Sequence, residues 1–587
     1  MRGVLNLVLT PLCLLLALPV LGVLGAWFSL DAAALAVLRH QWQTVMPEYA
    51  LQSAGLALFV GLGVMTLGSA TAALVTLFDF RGRRFFEWAL LLPLAMPAYV
   101  LAYAWTDALQ FGGPLQTALR EAFGWRGALW PDVRSFWGAV VLFVLCLYPY
   151  VYLLVRAALG ERAVRLMEAA RLLGAPMRRR VLQVALPMAR PAIAAGTALA
   201  LMETLADYGV GAYFGLSTFS TGIYKAWLVM NDSTAAAQLA AVLLLVVAAL
   251  LLAERTAQRK LRFAASRAGA TSAEARPTVL RGGAAVAAWV VCGLPVLLGF
   301  LLPVLWLARM LWQEASFSEF GLPLARFADW AWASFRLAGG AALAATALAL
   351  ALGFALRQCG GPGGVSGGAS MGTSGSTSRS TSRRTSGGSS GGMAGGIAGS
   401  VVGRILGGGL LRPAARVLSL GYAVPGAVIA IGILIPAGWV QSRWPEAGVA
   451  TLVTGSVFGL LYAYLVRFSA VALQSVEAGY ARVPASIDET ARMLGSGPLR
   501  LFVQLHLPLL QRSALAAALL VFVDVMKELP ATLVLRPFGS DTLAVVAYNF
   551  ARDERLAEAA LPSLAIVAVG LIPVVWLSRA MRAPAES

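Results

Sequence analysis

The sequence predicts an all-α, polytopic membrane protein with about twelve transmembrane helices in two homologous six-helix halves. Hydrophobic residues make up 59% of the 587 residues and charged residues only 13%, whereas a soluble domain carries about 25% charged residues. The apolar residues gather into stretches of about 20 residues, the length that crosses a bilayer. One polar stretch occurs twice between such segments, which indicates a duplicated unit.

Twelve spans can be placed along the chain by their apolar length. They lie at about residues 4–29, 51–78, 87–108, 136–157, 189–212, 234–253, 285–309, 334–356, 417–438, 448–471, 512–534 and 560–578. The first apolar run is longer than the 7–15-residue core that is usual in a signal peptide, so we expect it to be retained as a span.

The basic residues orient these spans. Arg residues cluster after the second span, in the first copy of the repeated stretch and after the sixth span, and the chain carries a net charge of +18. Loops rich in Arg and Lys face the cytoplasm. The charge therefore predicts a lipid bilayer around the chain, both termini in the cytoplasm and both repeated stretches on that side, and it does not indicate a nucleic-acid partner.

The duplication defines the expected domains. Residues 1–253 form the first half, residues 254–284 a cytoplasmic linker and residues 285–587 the second half. The second half contains an insert at 358–409 that is rich in Gly, Ser, Thr and Arg. Because this insert lacks apolar mass to bury, we expect a disordered cytoplasmic loop.

The repeated stretch reads EAARLLGAPMRRRVLQVALP at 168–187 and ETARMLGSGPLRLFVQLHLP at 489–508. A constant shift of 321 residues aligns the copies without a gap, with nine of twenty positions identical. We expect a helix, a turn at Gly174 in the left-handed conformation, a second short helix, and Pro187 at the start of the next span. An interfacial amphipathic hairpin without a partner is the alternative.

The pattern of Glu-Ala-Ala, then Gly, then Leu-Pro resembles the EAA loop of ABC importer permeases. In that family the loop carries a coupling helix that inserts into a groove of a cytoplasmic ATPase. The resemblance assigns ATPase coupling to Glu168, Ala169, Ala170, Gly174, Leu186, Pro187, Glu489, Ala491, Gly495, Leu507 and Pro508. Thr490 departs from the pattern in its middle Ala.

The resemblance also implies the fold and the partners. It implies a type I ABC importer-like permease in the bacterial inner membrane, with both halves fused in one chain. Two cytoplasmic ATP-binding cassette subunits would couple to it, and a periplasmic binding protein would deliver the substrate. This chain would bind no cofactor of its own, since ATP would be bound by the partner subunits.

The sequence does not indicate an enzyme. A phosphate-binding P-loop needs Gly-Lys followed by Ser or Thr, and Gly precedes none of the three Lys residues. The four Cys are scattered and the chain has only two His, so neither a metal site nor a disulfide framework is predicted. No pattern of a nucleophile and its base is present.

Two pairs of acidic residues lie in apolar segments, where ionisable side chains usually face a cavity or a partner. They are Glu203 with Asp207, and Asp524 with Glu528, and the 321-residue shift relates the pairs. The spacing of four would place each pair on one helix face. We interpret them as substrate-pathway or gate residues, or as structural ion pairs, since Lys527 is close enough to pair with Asp524 or Glu528.

The segments ADYGVGAYFGLSTFSTGIYKAW at 206–227 and KELPATLVLRPFGSDTLAVVAYNF at 527–550 resemble the fused permeases of ferric iron importers. Ferric iron is therefore the expected substrate, and thiamine or another small solute is the alternative. A secondary transporter with internal repeats is a further alternative, but it leaves the repeated stretch unexplained. Tyr208, Tyr213 and Tyr224 are expected at the outer membrane interface, and ligation of iron through their phenolate oxygens is the alternative.

Replacing both Glu168 and Glu489 with Arg is expected to abolish binding of the partner ATPase, because the charge of each loop reverses where the partner docks. Co-purification of the ATPase with tagged wild-type and variant permease measures this. Equal recovery of the ATPase with both proteins would contradict the coupling interpretation.

Overall fold

The computed structural model describes residues 2–25, 31–160, 163–266, 278–317, 322–359, 411–419 and 421–582. Its long helices are Arg2–Gly25, Met46–Leu77, Phe136–Gly160, Leu186–Ala206, Ser233–Ser266, Gly283–Val296, Leu302–Phe317, Leu324–Cys359, Gly426–Arg443, Val457–Tyr480, Leu507–Met526 and Leu556–Arg582. Shorter helices are Ala32–Gln43, Arg83–Ala89, Ala98–Leu109, Pro114–Phe123, Ala163–Leu172, Met177–Arg180, Gly209–Tyr213, Phe219–Tyr224, Leu411–Leu418, Val449–Thr454, Ala485–Met493, Pro498–Leu501, Pro530–Leu535 and Leu543–Arg552.

The remaining regular elements are brief. Single 3₁₀ turns occupy Leu92–Ala95, Gly421–Ala423 and Pro445–Ala447, and π turns occupy Val181–Ala185, Lys225–Val229, Leu297–Leu301 and Phe502–His506. The two-residue strands Phe78–Asp79 and Thr278–Val279 pair in parallel.

The chain is an all-α polytopic membrane protein, as predicted. Within the described ranges, eleven helices are long and apolar enough to cross a membrane, or twelve if one sharply bent pair is a single span. By contact density the chain forms two units. One comprises Met1–Ala17, Ala342–Gly421 and Phe468–Leu519, and the other comprises Leu18–Ala341, Tyr422–Arg467 and Leu520–Ser587.

The third span differs from the prediction of one continuous helix at 87–108. The segments Arg83–Ala95 and Ala98–Phe123 meet at an angle of 90°. Pro93 lies in the 3₁₀ turn before the bend and Pro97 caps the following helix. Proline lacks an N–H and clashes with the preceding helical turn, which explains the break.

The fifth and eleventh spans are shorter at their ends than predicted. Their helices end at Ala206 and Met526. Asp207 has extended backbone angles, and Glu528 follows the helix end. The prediction that each acidic pair shares one helix face is therefore wrong, because the second carboxylate of each pair lies beyond the end of its helix.

Both copies of the repeated stretch fold as a helix, a glycine turn and a second helix. Gly174 and Gly495 both have φ of 78°, the left-handed conformation expected at these positions. The second helix is not separate as predicted. In each copy it continues through a π turn into the following membrane helix, so that Met177–Ala206 is one unit of 30 residues.

Parts of the predicted linker and of the predicted insert are helical. Helix Ser233–Ser266 covers the first part of the linker predicted at 254–284, and Thr278–Val279 forms the paired strand. At the predicted start of the insert, Gln358 and Cys359 belong to helix Leu324–Cys359. The rest of the insert, residues 360–409, lies outside the described residues.

Replacing Gly495 with Ala is expected to lower the free energy of unfolding by about 1 kcal/mol, because a side chain is strained in the left-handed conformation. Gly438→Ala is the matched control. Gly438 lies inside a helix with no atom within 4 Å of an added Cβ, so this variant should be unchanged or slightly more stable. Denaturant titration of the detergent-solubilised protein measures both, and equal stability of the two variants would contradict the expectation.

Candidate functional site

The residues assigned to ATPase coupling lie mostly on the surface of each repeated stretch. Glu168, Gly174, Glu489 and Gly495 are exposed, whereas Ala170 and Ala491 are half-buried. Leu186 and Pro187 are half-buried, and Leu507 and Pro508 are exposed. Each stretch therefore exposes its acidic residue and its glycine turn, and the small Ala residues add little bulk beside the helix.

Each stretch also carries an apolar tip that the sequence analysis did not single out. Leu172 and Leu173 are 85% and 87% exposed, and Met493 and Leu494 are 89% and 80% exposed. The 321-residue shift relates the two pairs. Adjacent exposed apolar side chains in a polar stretch are candidates for an interaction surface. The signal in the sequence was two large apolar residues directly before a helix-ending glycine.

Asp207 and Glu528, at equivalent positions of the two halves, cap short helices after the helix breaks. Asp207 Oδ1 accepts a hydrogen bond from the Val210 N–H at 2.8 Å. Glu528 accepts from the N–H groups of Ala531 and Thr532 at 2.9 and 3.1 Å. These bonds satisfy backbone donors that the start of a helix leaves without partners.

Two cations neutralise the carboxylates of the second half. Arg467 donates to Glu528 Oε1 at 3.2 Å, and their side chains are only 11% and 2% exposed. Lys527 Nζ lies 2.9 Å from Asp524 Oδ1. Arg467 comes from helix Val457–Tyr480, where the sequence analysis missed it because its partner lies 61 positions away. We call the set Glu203, Asp207, Arg467, Asp524, Lys527 and Glu528 the charged cluster.

Glu203 lies against a small cavity in the charged cluster. The cavity measures about 10 Å³, close to the volume that one water molecule needs. Tyr150, Tyr422 and Arg467 contribute to its wall. Arg467 interacts electrostatically with Glu203, Asp524 and Glu528, so one guanidinium connects carboxylates from both sequence halves. In this conformation the cavity is too small for a hydrated ion.

Aromatic side chains surround the charged cluster. The rings of Tyr208 and Tyr224 stack with centroids 3.9 Å apart, and the hydroxyls of Tyr208 and Tyr548 lie 3.1 Å apart. The Tyr224 hydroxyl donates to the Pro530 carbonyl. Tyr224 is 3% exposed, so its ring packs against protein.

A third ion pair connects the predicted outer loops. Arg134 donates to both carboxylate oxygens of Glu554, at 2.7 and 2.8 Å, and to the Tyr213 hydroxyl at 3.0 Å. The hydrogen bond from Arg134 holds the pKa of Glu554 below its ordinary value. This contact therefore persists at neutral pH and weakens only as the pH falls through that lowered pKa. We call these three residues the loop clasp.

Among the described residues, no group of three or more His, Cys, Asp or Glu side chains is arranged to hold a metal ion. Capping bonds and cations occupy Asp207, Asp524 and Glu528. The charged cluster is therefore suited to forming and exchanging ion pairs, as a gate does. It does not present a bare set of oxygen ligands to a cation.

Residues 64–262 match the model of the family "binding-protein-dependent transport system inner membrane component". The matched residues are about a third of the chain, and over them the chain is similar to this class of membrane transport component. The match includes the first repeated stretch and the acidic pair Glu203 and Asp207.

Individual relatives extend this similarity. The chain is 25% identical over 527 residues to the Fe(3+)-transport system permease protein FbpB 2 of Haemophilus influenzae, which covers 89% of this chain and 87% of the relative. It is 26% identical over 192 residues to a protein named for 2-aminoethylphosphonate transport, PhnU of Salmonella choleraesuis, covering 32% of this chain and 67% of the relative. PhnV of Salmonella typhimurium, named for the same transport, is 29% identical over 165 residues, covering 28% and 59%.

Replacing Arg467 with Met is expected to lower the free energy of unfolding by about 3–5 kcal/mol, because it leaves the Glu528 carboxylate buried without its cation. Arg552→Met is the control, since the Arg552 side chain is 66% exposed beside Asp553 and surface pairs contribute little. Denaturant titrations of both variants measure the difference. Equal losses would show that the Arg467–Glu528 pair is not a buried structural contact.

Proposed function

We propose that this chain is the permease subunit of an ATP-driven importer that moves ferric iron from a periplasmic binding protein into the cytoplasm. Two separate cytoplasmic ATPase subunits drive it through the two repeated stretches. Both termini and both stretches lie in the cytoplasm of a bacterial cell, and the chain crosses the inner membrane many times.

The observation that carries the proposal is the agreement between the two repeated stretches in sequence and in shape. Each has an exposed acidic residue, an exposed apolar tip and a left-handed glycine at the same 321-residue shift. Each also continues without a break into a membrane helix. A partner that binds such a surface can move the membrane helix attached to it. ATP-driven transport needs such a connection, whereas a secondary transporter does not need it.

The charged cluster and the loop clasp supply the gating in this proposal. The Arg467–Glu528 and Lys527–Asp524 pairs close the pathway around Glu203, while the Arg134–Glu554 pair closes the predicted outer loops. Opening then exchanges each ion pair for contacts with water or substrate. Asp207 and Glu528 remain at their helix starts and keep the broken backbone satisfied.

Ferric iron is favoured because similarity to an iron permease extends over 89% of this chain, whereas the relatives named for 2-aminoethylphosphonate cover about a third. Opening of the charged cluster separates Arg467 and Lys527 from their carboxylate partners in this proposal and leaves two cations that suit an anion. A phosphonate is therefore the second candidate. Iron accompanied by an anionic chelator fits the same cations, and thiamine is the remaining candidate.

Uptake into cells that lack their own transporters for these solutes tests the proposal. Cells that express the permease with its ATPase and binding protein are expected to accumulate labelled ferric iron at least tenfold above vector-only cells. Labelled 2-aminoethylphosphonate and thiamine should remain at background. The variant with Arg at both Glu168 and Glu489 is the control, and it should abolish iron uptake while the permease stays in the membrane.

The alternatives give different results. Accumulation of the phosphonate or thiamine in place of iron would assign the substrate differently and leave the coupling intact. Iron uptake that persists without the ATPase would overturn the ATP-driven importer and favour a secondary transporter.

A further inference from the structure

The second repeated stretch is held by a buried polar network around Asp488, which lies directly before Glu489. Asp488 is 5% exposed and His506 is 1% exposed. Arg357 donates from Nε to Asp488 Oδ2 at 2.7 Å and from a terminal nitrogen to Oδ1 at 3.2 Å. A planar guanidinium bound to both oxygens of a carboxylate fixes their relative orientation as well as their distance.

Arg357 also holds the chain on either side of the turn into this stretch. Its terminal nitrogens donate to the carbonyls of Tyr480, Val483 and Pro484 at 3.3, 3.0 and 2.9 Å. Tyr480 ends one membrane helix, and Pro484 caps the coupling helix Ala485–Met493. One side chain, at the end of helix Leu324–Cys359, therefore joins the end of a second membrane helix to the start of the coupling helix.

The other end of the stretch is tied to the same carboxylate. His506 Nε2 lies 3.1 Å from Asp488 Oδ1, and its Nδ1 lies 3.1 Å from the Tyr480 hydroxyl. With an ionised Asp488, the Nε2–H donates and Nδ1 accepts from Tyr480, so a neutral imidazole satisfies both contacts. Arg492 donates to the Gln358 side chain at 2.7 Å, which adds a further bond between the coupling helix and helix Leu324–Cys359.

The first copy is built differently at the equivalent positions. The 321-residue shift places Leu159, Met167 and Ala185 where the second copy has Tyr480, Asp488 and His506. All three are buried, with 0%, 5% and 0% exposure. The described side chains of 166–190 form no hydrogen bond or ion pair with another described side chain. At these three buried positions the first copy has apolar side chains, whose contacts have no preferred direction.

We propose that Arg357, Asp488 and His506 are positioning residues that fix the second coupling helix to helix Leu324–Cys359, so that the two coupling helices have unequal tasks. The second transmits ATPase movement directly to a membrane helix through directional bonds. The first coupling helix packs through apolar contacts, so it can shift along them and follows the movement of the second. A buried ion pair costs desolvation energy that a hydrophobic group of similar size does not. The first copy has Met167 at the position of Asp488, so a hydrophobic side chain is tolerated there.

The test rests on the proposed importer and uses the full complex in proteoliposomes. The variant with Asp488→Met, His506→Ala and Tyr480→Leu gives the second copy the residues of the first. Labelled ferric iron delivered by the binding protein and ATP hydrolysis are measured together. Iron imported per ATP is expected to fall at least tenfold, while ATP hydrolysis stays within about twofold, because Glu489 and the apolar tip remain on the surface.

Asp488→Asn is the second variant, since it keeps the side-chain shape and removes only the charge that Arg357 and His506 share. It is expected to lower iron per ATP in the same direction, with a smaller effect. Met167→Leu, at the equivalent buried position of the first copy, is the matched control and should leave the ratio unchanged.

A merely structural network would reduce uptake and hydrolysis in proportion to the folded protein that remains, leaving iron per ATP at the wild-type value, and that result would overturn the inference. An equal fall in the Met167→Leu control would overturn it as well, because the two copies would then be equivalent. A wild-type complex without ATP-driven iron uptake would instead contradict the proposed function, on which this inference depends.

Discussion

The capping of broken membrane helices by carboxylates is the interaction on which the charged cluster depends. A helix that ends inside a bilayer leaves backbone donors and acceptors without water to bond them. Asp207 and Glu528 each supply an oxygen to the N–H groups of the next short helix. A carboxylate used in this way brings a buried negative charge, and in the second half Arg467 compensates it.

This constraint explains why the halves remain alike in backbone and differ in side chains. The helix ends, glycine turns and capping carboxylates recur at one shift because each satisfies the backbone at a point where it turns. Some buried positions between these points differ between the copies. Met167 and Asp488 occupy equivalent buried positions. The apolar Met167 needs no polar partner, whereas the carboxylate of Asp488 is bonded by Arg357 and His506.

Much of the fold followed from the sequence because long apolar runs and the repeat are local signals. The left-handed turn at Gly174 was predicted correctly, since glycine after a helix favours that conformation, and Gly495 repeats it in the second copy. The continuous third span was predicted wrongly because hydropathy does not register the geometric effect of Pro93 and Pro97. The acidic pairs were recognised, but a spacing of four presumes an unbroken helix, and the helices end between the two members.

The partners of those acidic residues could not be predicted from local sequence. Arg467 is one of many Arg residues in the chain, and only the tertiary fold brings it to Glu528. Arg357 likewise reaches Asp488 over 131 positions. The apolar tips were visible as Leu172 with Leu173 and Met493 with Leu494, but in a chain so rich in leucine only their exposure distinguishes them.

In the first half, one continuous helical run, Met177–Ala206, connects the repeated stretch to Glu203. This run can therefore act as a lever. From Met177 to Glu203 the helix rises about 1.5 Å per residue, or about 39 Å in all. The π turn at Val181–Ala185 lies near the Met177 end of this run and Pro191 lies about halfway along it, and such features let a helix bend. About 30 Å of helix lies between the π turn and Glu203, so a tilt of about 10° at that turn carries Glu203 through about 5 Å. A small rotation near the repeated stretch thus becomes a displacement larger than the ion-pair distances of 2.9 and 3.2 Å in the charged cluster.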